Sequence, residues 1–124
     1  MKAIRILVVD DEAKIRGALV HYLASCDEFD VVGEASDGIE ALEKLASVSP
    51  NVVLLDISMP GMNGIEVAKR ILEAHPAMRI IFVSAAWTAQ HETTAREVGA
   101  SAFVPKDKMS TDLAPKIRMV AAGK

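Results

Sequence analysis

Short, strongly apolar runs recur along this chain, and each one stops at a polar or charged side chain. Four of them cover residues 4–9, 52–55, 80–83 and 102–105. Continuous rather than alternating apolar sequence is typical of strands that are buried on both faces of a parallel sheet. We therefore expect a central parallel sheet with helices packed on both of its faces.

Amphipathic helical segments separate the strands. Apolar residues at helical spacing predict a first helix over 12–25, which Asp11 is expected to cap. A shorter strand over 29–35 follows, and we place it nearer an edge of the sheet. Asp37 and Asn63 are the expected caps of the next two helices.

The last two helices carry weaker signals. Residues 88–98 are rich in threonine and alanine, and Gly99 is expected to end this helix in the left-handed conformation. The final helix is expected to start near Asp112, so that Pro115 falls in or near the first turn, where a missing N–H is tolerated.

Five alternating strand and helix signals favour one α/β domain of 124 residues, a flavodoxin-like (βα)5 doubly wound sandwich with a five-stranded parallel sheet of order 2-1-3-4-5. The carboxyl ends of all its strands would meet at one edge, and ligands bind in the crevice outside that edge. Polar residues follow or end four of the strands: Asp10 with Asp11, Asp56, Ser84 and Lys106. The three aspartates among them would lie at the crevice between the first and third strands.

This edge combines the residue types needed for metal-assisted phosphoryl chemistry. Three carboxylates pressed together repel one another unless a cation joins them, and Mg²⁺ (or Mn²⁺) with oxygen ligands is the natural partner. Asp56 is the candidate nucleophile, because carboxylates form covalent aspartyl phosphates. Each residue by itself has a plainer interpretation as a helix cap, a turn residue or a solvated lysine, so the functional interpretation depends on all four strand ends together.

Composition narrows the classes of function. A formal net charge of −3 argues against a nucleic-acid-binding surface on this segment. The single cysteine, Cys26, cannot form an internal disulfide, which fits a cytoplasmic protein. No stretch approaches the ~20 apolar residues that a membrane-spanning helix needs, so no membrane partner is expected.

Four motifs, taken in order, resemble the receiver domain of two-component response regulators. They are ILVVDDE at 6–12, VLLDISMPGMNG at 53–64, VSA at 83–85 and GASAFVPK at 99–106. The resemblance covers essentially the whole chain, so residues 1–124 are expected to be one receiver domain. Lys106 followed by Asp107, together with the tail of the chain, is most similar to the receivers of LuxR-type (NarL/FixJ) transcription regulators.

The resemblance implies a chemical role for the acidic residues. Asp56 would be the phosphoacceptor, and a histidine kinase would be its phosphoryl donor. Asp11 and Asp56 would ligate Mg²⁺ (or Mn²⁺) directly, together with the backbone carbonyl of Ser58. Asp10 would act mainly through metal-bound water.

The resemblance also implies a switch. Lys106 would pair with the phosphoryl group, and the Ser84 hydroxyl would move onto a phosphoryl oxygen. Phe103 would be the aromatic residue whose side-chain position follows Ser84. The change would drive a transcriptional output and, by the same resemblance, a phosphorylation-dependent homodimer.

Two interpretations of the output stay open. In LuxR-type regulators a linker and a helix-turn-helix domain follow the receiver, and here any such domain would lie beyond residue 124. DNA would then be contacted only through that domain. The alternative is a stand-alone receiver that acts through protein–protein contacts.

Departures from the family pattern affect the expected peptide geometry after Lys106 and the expected lifetime of the phosphoryl group. Asp107 follows the lysine where proline is usual, and a cis bond to a non-proline residue costs ~2.5–4 kcal/mol, so we expect a trans peptide. Serine rather than threonine stands at position 84, and Ser58 and Ala86 occupy positions that tune phosphoryl lifetime. Because Ala86 cannot orient a hydrolytic water, exceptionally fast self-dephosphorylation is not expected.

A metal-dependent phosphohydrolase is the competing class of protein. The haloacid-dehalogenase pattern has a second acid two positions after its nucleophile, and Glu12 follows Asp10 at that spacing. However, 124 residues leave no room for a cap domain, and Asp56 rather than Asp10 has the receiver-like surroundings. We therefore expect a phosphoacceptor rather than an enzyme. A flavin module is disfavoured, because an acidic first loop opposes a flavin phosphate.

Overall fold

The computed structural model describes residues 3–57, 59, 63–85 and 88–123. The strands are β1 (Ile4–Val9), β2 (Phe29–Ala35), β3 (Val52–Leu55), β4 (Arg79–Ser84) and β5 (Ala102–Pro105). The helices are α1 (Ala13–Ala24), α2 (Gly38–Val48), α3 (Gly64–Ala74), α4 (Ala89–Val98) and α5 (Met109–Ala121), and a short 3₁₀ helix (Lys106–Lys108) precedes α5. No helix in the described ranges is long and apolar enough to cross a bilayer.

The five strands form one parallel sheet in the order β2-β1-β3-β4-β5. This confirms the predicted doubly wound α/β fold, with β2 at an edge as expected. β3 lies in the middle, and all four of its residues are buried. Continuous burial on both faces explains why its sequence is uniformly apolar.

Each face of the sheet has its own apolar core. Successive side chains of a strand point to opposite faces, so Leu7 and Val9 of β1 pack with α2, α3 and α4. Ile6 and Val8 pack instead with α1 and α5. The two cores hold the strands rigidly, and the carboxyl ends of the strands are therefore fixed at one edge.

Local capping signals operate as the sequence predicts. The Asp37 carboxylate accepts a hydrogen bond from the Glu40 backbone N–H at 2.8 Å and begins α2. The Asn63 side chain does the same for the Glu66 N–H at 3.0 Å and begins α3. Gly99 ends α4 with a φ of 94°, in the left-handed region where glycine avoids a Cβ clash.

The prediction that Asp11 caps α1 is wrong. The N-cap residue is Glu12, and no side chain caps the helix at that position. The Asp10 carboxylate instead accepts a hydrogen bond from the Glu12 N–H at 2.9 Å, because a short acidic side chain reaches the backbone two residues ahead. The turn between β1 and α1 is thus held by Asp10.

The predicted start of the last helix is also wrong. The 3₁₀ turn after β5 continues directly into α5, so the helix begins at Met109 rather than near Asp112. Pro115 is consequently inside the helix instead of in its first turn. Pro115 has no N–H to donate to the carbonyl of Thr111, and both residues are exposed.

Candidate functional site

Three carboxylates meet at the carboxyl edge of the sheet. Asp10 follows β1 and Asp56 follows β3, and the two strands are neighbours, with Val9 opposite Leu55. One oxygen from each of Asp10, Asp11 and Asp56 lies within 4.8 Å of the others. Pairing of two adjacent strands therefore brings together the acids that the sequence predicted at this edge.

The backbone on either side of the acids is held by the sheet. The Asp56 N–H donates to the Val9 carbonyl at 3.1 Å, and the Asp10 N–H donates to the Ala35 carbonyl at 3.1 Å. Asp10 and Asp56 are buried, with 1% and 4% of their surface exposed, whereas Asp11 is partly exposed. The cluster thus has two fixed, buried carboxylates and one carboxylate that reaches solvent.

Lys106, the residue directly after β5, contacts two of these acids. Its Nζ lies 2.9 Å from Asp10 Oδ2 and 3.4 Å from Asp56 Oδ2. Burial lowers the pKa of the Lys106 ammonium, but the contacts with Asp10 and Asp56 outweigh burial and raise that pKa above its ordinary value. The lysine is therefore a stable positive charge at neutral pH.

The local charge balance favours a cation. With all groups ionised, three carboxylates face one ammonium, which leaves an excess of two negative charges. Burial makes that repulsion expensive. Carboxylate oxygens are the ligands that Mg²⁺ and Mn²⁺ prefer, and Mg²⁺ usually uses one or two carboxylates with waters. The donor set present here fits such an ion.

Ser84 and Phe103 lie on the neighbouring strands β4 and β5, and β4 is next to the strand that precedes Asp56. Ser84 is the last residue of β4, is 1% exposed, and lies opposite Pro105, the residue before Lys106. Phe103 lies on β5 opposite Phe82 and packs partly buried against the core that contains α4. The two residues are therefore on adjacent strands, on the same side of β3 as Lys106.

The turn after Lys106 has the expected peptide geometry. No described residue is preceded by a cis bond, so the prediction of a trans Lys106–Asp107 peptide is confirmed. The chain enters the 3₁₀ helix at this point. Ser58 and Ala86, which the sequence assigned to metal ligation and to phosphoryl lifetime, lie outside the described residues.

Gly64 is a site residue whose role was missed at the level of sequence. A Cβ built on Gly64 would lie 2.1 Å from the Asp56 carbonyl oxygen and 2.7 Å from the Ile57 Cα. The Gly64 N–H donates to the Ile57 carbonyl at 2.7 Å. The start of α3 therefore packs directly on the backbone of Asp56. In the sequence, Gly64 was seen as the last residue of the motif at 53–64, straight after the Asn63 cap, without a role of its own.

Comparison with known proteins places the chain in a family. The family profile for the response regulator receiver domain matches residues 6–118. The chain belongs to the response regulator receiver domain family. It is accordingly a domain of phosphorylation-dependent signalling, and the resemblance seen in its four motifs is confirmed.

Two longer relatives match nearly the whole of this chain. Over 120 residues it is 35% identical to the response regulator GacA of Pseudomonas viridiflava, a match that covers 97% of this chain and 56% of GacA. Over 117 residues it is 43% identical to a protein-glutamate methylesterase/protein-glutamine glutaminase of Geobacillus kaustophilus, covering 91% of this chain and 33% of that protein. The chain thus spans about half or less of the length of these relatives.

Solved structures agree with the fold. The signal receiver domain of the putative response regulator NarL from Mycobacterium tuberculosis superposes with a TM-score of 0.93 at 33% identity, covering all of both chains. The response regulator domain of Thermotoga maritima CheB gives a TM-score of 0.90 at 35% identity, covering 98% of both chains. The fold of this chain is therefore shared with both of these response regulator domains.

Proposed function

We propose that Asp56 accepts a phosphoryl group from a histidine kinase and that the resulting acyl phosphate switches the conformation of the domain. The observation that carries this proposal is the position of Lys106, whose ammonium lies between the buried carboxylates of Asp10 and Asp56. A lysine held there is ready to pair with phosphoryl oxygens on either acid.

The acids would hold a divalent cation during transfer. Asp11 and Asp56 would ligate Mg²⁺ (or Mn²⁺) directly, with the Ser58 carbonyl as a third ligand, and Asp10 would act through a bound water. When bound, the ion supplies charge neutralisation for the carboxylates and the incoming phosphoryl oxygens. Without that neutralisation, an acidic pocket would repel phosphate.

The transfer itself needs only positioning and charge stabilisation. A carboxylate oxygen of Asp56 attacks phosphorus in line, and the phosphorus–nitrogen bond of the donor phosphohistidine breaks. The electron pair of that bond returns to the imidazole, which takes a proton from solvent. Lys106 pairs with the phosphoryl oxygens as charge develops on them, so its ion pair with Asp56 changes partner.

Residues on β4 and β5 would change position in response to the acyl phosphate. The Ser84 hydroxyl donates to a phosphoryl oxygen, and Phe103 follows into the space that Ser84 leaves. A shift of a resting 1:99 population to 99:1 needs ~5.5 kcal/mol of preference for the active state. A hydroxyl contact, a charge-assisted lysine contact and cation coordination together reach that order of energy.

We further propose a transcriptional output in a longer response regulator. Support comes from YhcZ of Bacillus subtilis, described as an uncharacterized transcriptional regulatory protein, which is 35% identical over 119 residues. DNA would be contacted by a separate output domain, and phosphorylation would promote a homodimer in the cytoplasm. The gene sequence downstream of codon 124 distinguishes this output from an esterase domain or a stand-alone receiver.

The chemistry is tested by intact mass after incubation with acetyl phosphate and Mg²⁺. The expected result is a single phosphoryl adduct that Asp56→Asn abolishes and that the exposed-site control Asp30→Asn retains. Removal of divalent ions with a chelator should suppress the adduct. An adduct of equal yield on Asp56→Asn contradicts the proposal, and steady turnover of a phosphomonoester pool without an adduct indicates a phosphohydrolase.

A further inference from the structure

Arg16 of α1 makes contacts that the phosphoryl chemistry does not explain. Its Nη1 donates to the backbone carbonyl of Asp10 at 2.8 Å, and its Nε lies 3.2 Å from Glu34 Oε1 on β2. We propose that Arg16 is a positioning residue that fixes the turn carrying Asp10 and Asp11 for cation binding. This inference rests on the proposed function.

The burial of Arg16 distinguishes it from arginines in ordinary surface ion pairs. Its side chain is 21% exposed, whereas those of Arg70 and Arg96 are 54% and 78% exposed in pairs with glutamates one helical turn away. Exposed pairs of that kind contribute little to stability. Arg16 contacts both the turn after β1 and strand β2, so it can fix the position of one relative to the other.

Helix stability does not account for an arginine at this place. The Arg16 N–H donates to the Glu12 carbonyl at 2.9 Å, which puts Arg16 in the first turn of α1. A cation near the positive end of the helix dipole is unfavourable by ~0.3–1 kcal/mol. No acid of that turn offsets the cost. The Asp10 carbonyl and Glu34 are the contacts that offset it.

The Asp10 carbonyl belongs to the peptide that joins Asp10 to Asp11. Three contacts converge on this turn: the Asp10 N–H donates to Ala35, the Glu12 N–H donates to the Asp10 carboxylate, and Arg16 donates to the Asp10 carbonyl. Loss of the Arg16 contact frees the rotation of that peptide, and the Asp11 carboxylate then has to be ordered when a cation binds. Outer contacts of this kind orient metal ligands.

The positive charge of Arg16 would weaken cation binding, whereas its contact with the Asp10 carbonyl would favour it. A positive charge next to the site repels a divalent ion, so removal of that charge alone would tighten binding. Glu34 neutralises Arg16 in the structure and limits this repulsion. Positioning and repulsion therefore predict opposite changes in affinity, and a single measurement decides between them.

The test is the affinity for Mn²⁺, measured from the electron paramagnetic resonance signal of the free ion, without any phosphoryl donor. Arg16→Gln is expected to weaken binding about 10-fold, the lower end of the range for loss of a contact that orients a ligand. Arg70→Gln removes the same charge from an exposed helix pair and should leave the affinity unchanged. Arg16→Lys, which keeps the charge but cannot span both partners, should give a smaller loss.

The outcomes separate this inference from the proposed function. Equal or tighter Mn²⁺ binding by Arg16→Gln, at unchanged unfolding free energy, overturns the positioning role while the phosphoacceptor proposal stands. If the unmodified protein shows no Mn²⁺ binding at the acids, the proposed cation site fails and the role of Arg16 fails with it. Should Arg16→Gln not fold, Arg16→Lys decides, and a wild-type affinity for that variant overturns the inference.

Discussion

Single side chains at the carboxyl edge of the sheet are held under electrostatic strain. Asp10 and Asp56 are buried, and the ammonium of Lys106 contacts both of their carboxylates. Buried acids without a partner destabilise a fold. The stability of this domain should therefore respond both to the lysine and to added divalent cations.

Replacement of Lys106 by methionine should lower the free energy of unfolding in metal-free buffer. The expected loss is about 1–3 kcal/mol at pH 7, because two buried carboxylates lose the ammonium that contacts both of them. Urea denaturation measures it. Lys108→Met, at an exposed position in the same 3₁₀ turn, is the control and should change stability little. Addition of Mg²⁺ should recover more stability in Lys106→Met than in the control, and equal recovery in both contradicts the argument.

Gly64→Ala should displace Asp56, the proposed phosphorylation site. The new Cβ would lie 2.1 Å from the Asp56 carbonyl oxygen, so α3 or the Asp56 backbone must shift. The expected cost is about 1–3 kcal/mol of unfolding free energy, as for overpacked cores, with reduced adduct formation from acetyl phosphate. Gly17→Ala in α1 is the matched control, because its Cβ meets nothing within 4 Å. That control should gain up to about 1 kcal/mol and keep normal phosphorylation.

Among the secondary-structure elements, α4 is the least anchored of the helices that pack on the sheet. Ala95 is its one buried residue, whereas α3 and α5 each bury four residues. The α4 sequence is rich in threonine and alanine, and Thr88 caps it by accepting a hydrogen bond from the His91 N–H at 3.2 Å. A helix with so little buried apolar surface is suited to repack in the proposed switch of β4 and β5.

Hydrogen exchange should show this difference directly. Backbone amides of α4 are expected to exchange faster than those of α3 and α5 in the unphosphorylated protein, because local opening of α4 exposes less apolar surface. Mass spectrometry of peptides covering the three helices measures the rates. Equal protection of α4 and α5 would show that α4 opens only with the whole domain. Phosphorylation at Asp56 is then expected to change the protection of α4 more than that of α2.

At the scale of the whole molecule, a long-range ion pair joins the last helix to the edge of the sheet. Arg118 of α5 donates through Nε to Glu28 at 2.8 Å, across 90 positions of sequence, and its guanidinium lies 5.9 Å from the ring centre of Phe29. The hydrogen bond from Arg118 holds the pKa of Glu28 below its ordinary value. This contact ties the last helix to the start of the edge strand.

The Glu28 pair predicts part of the acid sensitivity of the domain. Because the folded-state pKa of Glu28 is lowered, its contribution is complete above the ordinary glutamate pKa of ~4.3 and is lost as pH falls through the lowered value. Urea titrations between about pH 6 and pH 3 should therefore show a smaller loss of unfolding free energy for Arg118→Gln than for wild type. The double variant with Glu28→Gln should match the single variant. A wild-type slope in Arg118→Gln refutes this assignment.

The sequence by itself determined the order of strands and helices, the edge at which the polar residues gather and the caps at Asp37, Asn63 and Gly99. These features are local, since an apolar run or a capping side chain acts within a few residues. Two expectations that were based on local signals, both about where a helix begins, were wrong. Asp11 does not cap α1, and α5 begins at Met109 because the 3₁₀ turn after β5 leads into it.

Only the tertiary structure decided the contacts between distant segments. The 2.9 Å pairing of Lys106 with Asp10, the approach of Gly64 to Asp56 and the bridge from Arg16 to β2 depend on how layers pack. Spacing along the chain cannot encode such distances, because they follow from the burial of two separate cores on one sheet. The sequence supplied the chemical groups, and packing set their separations.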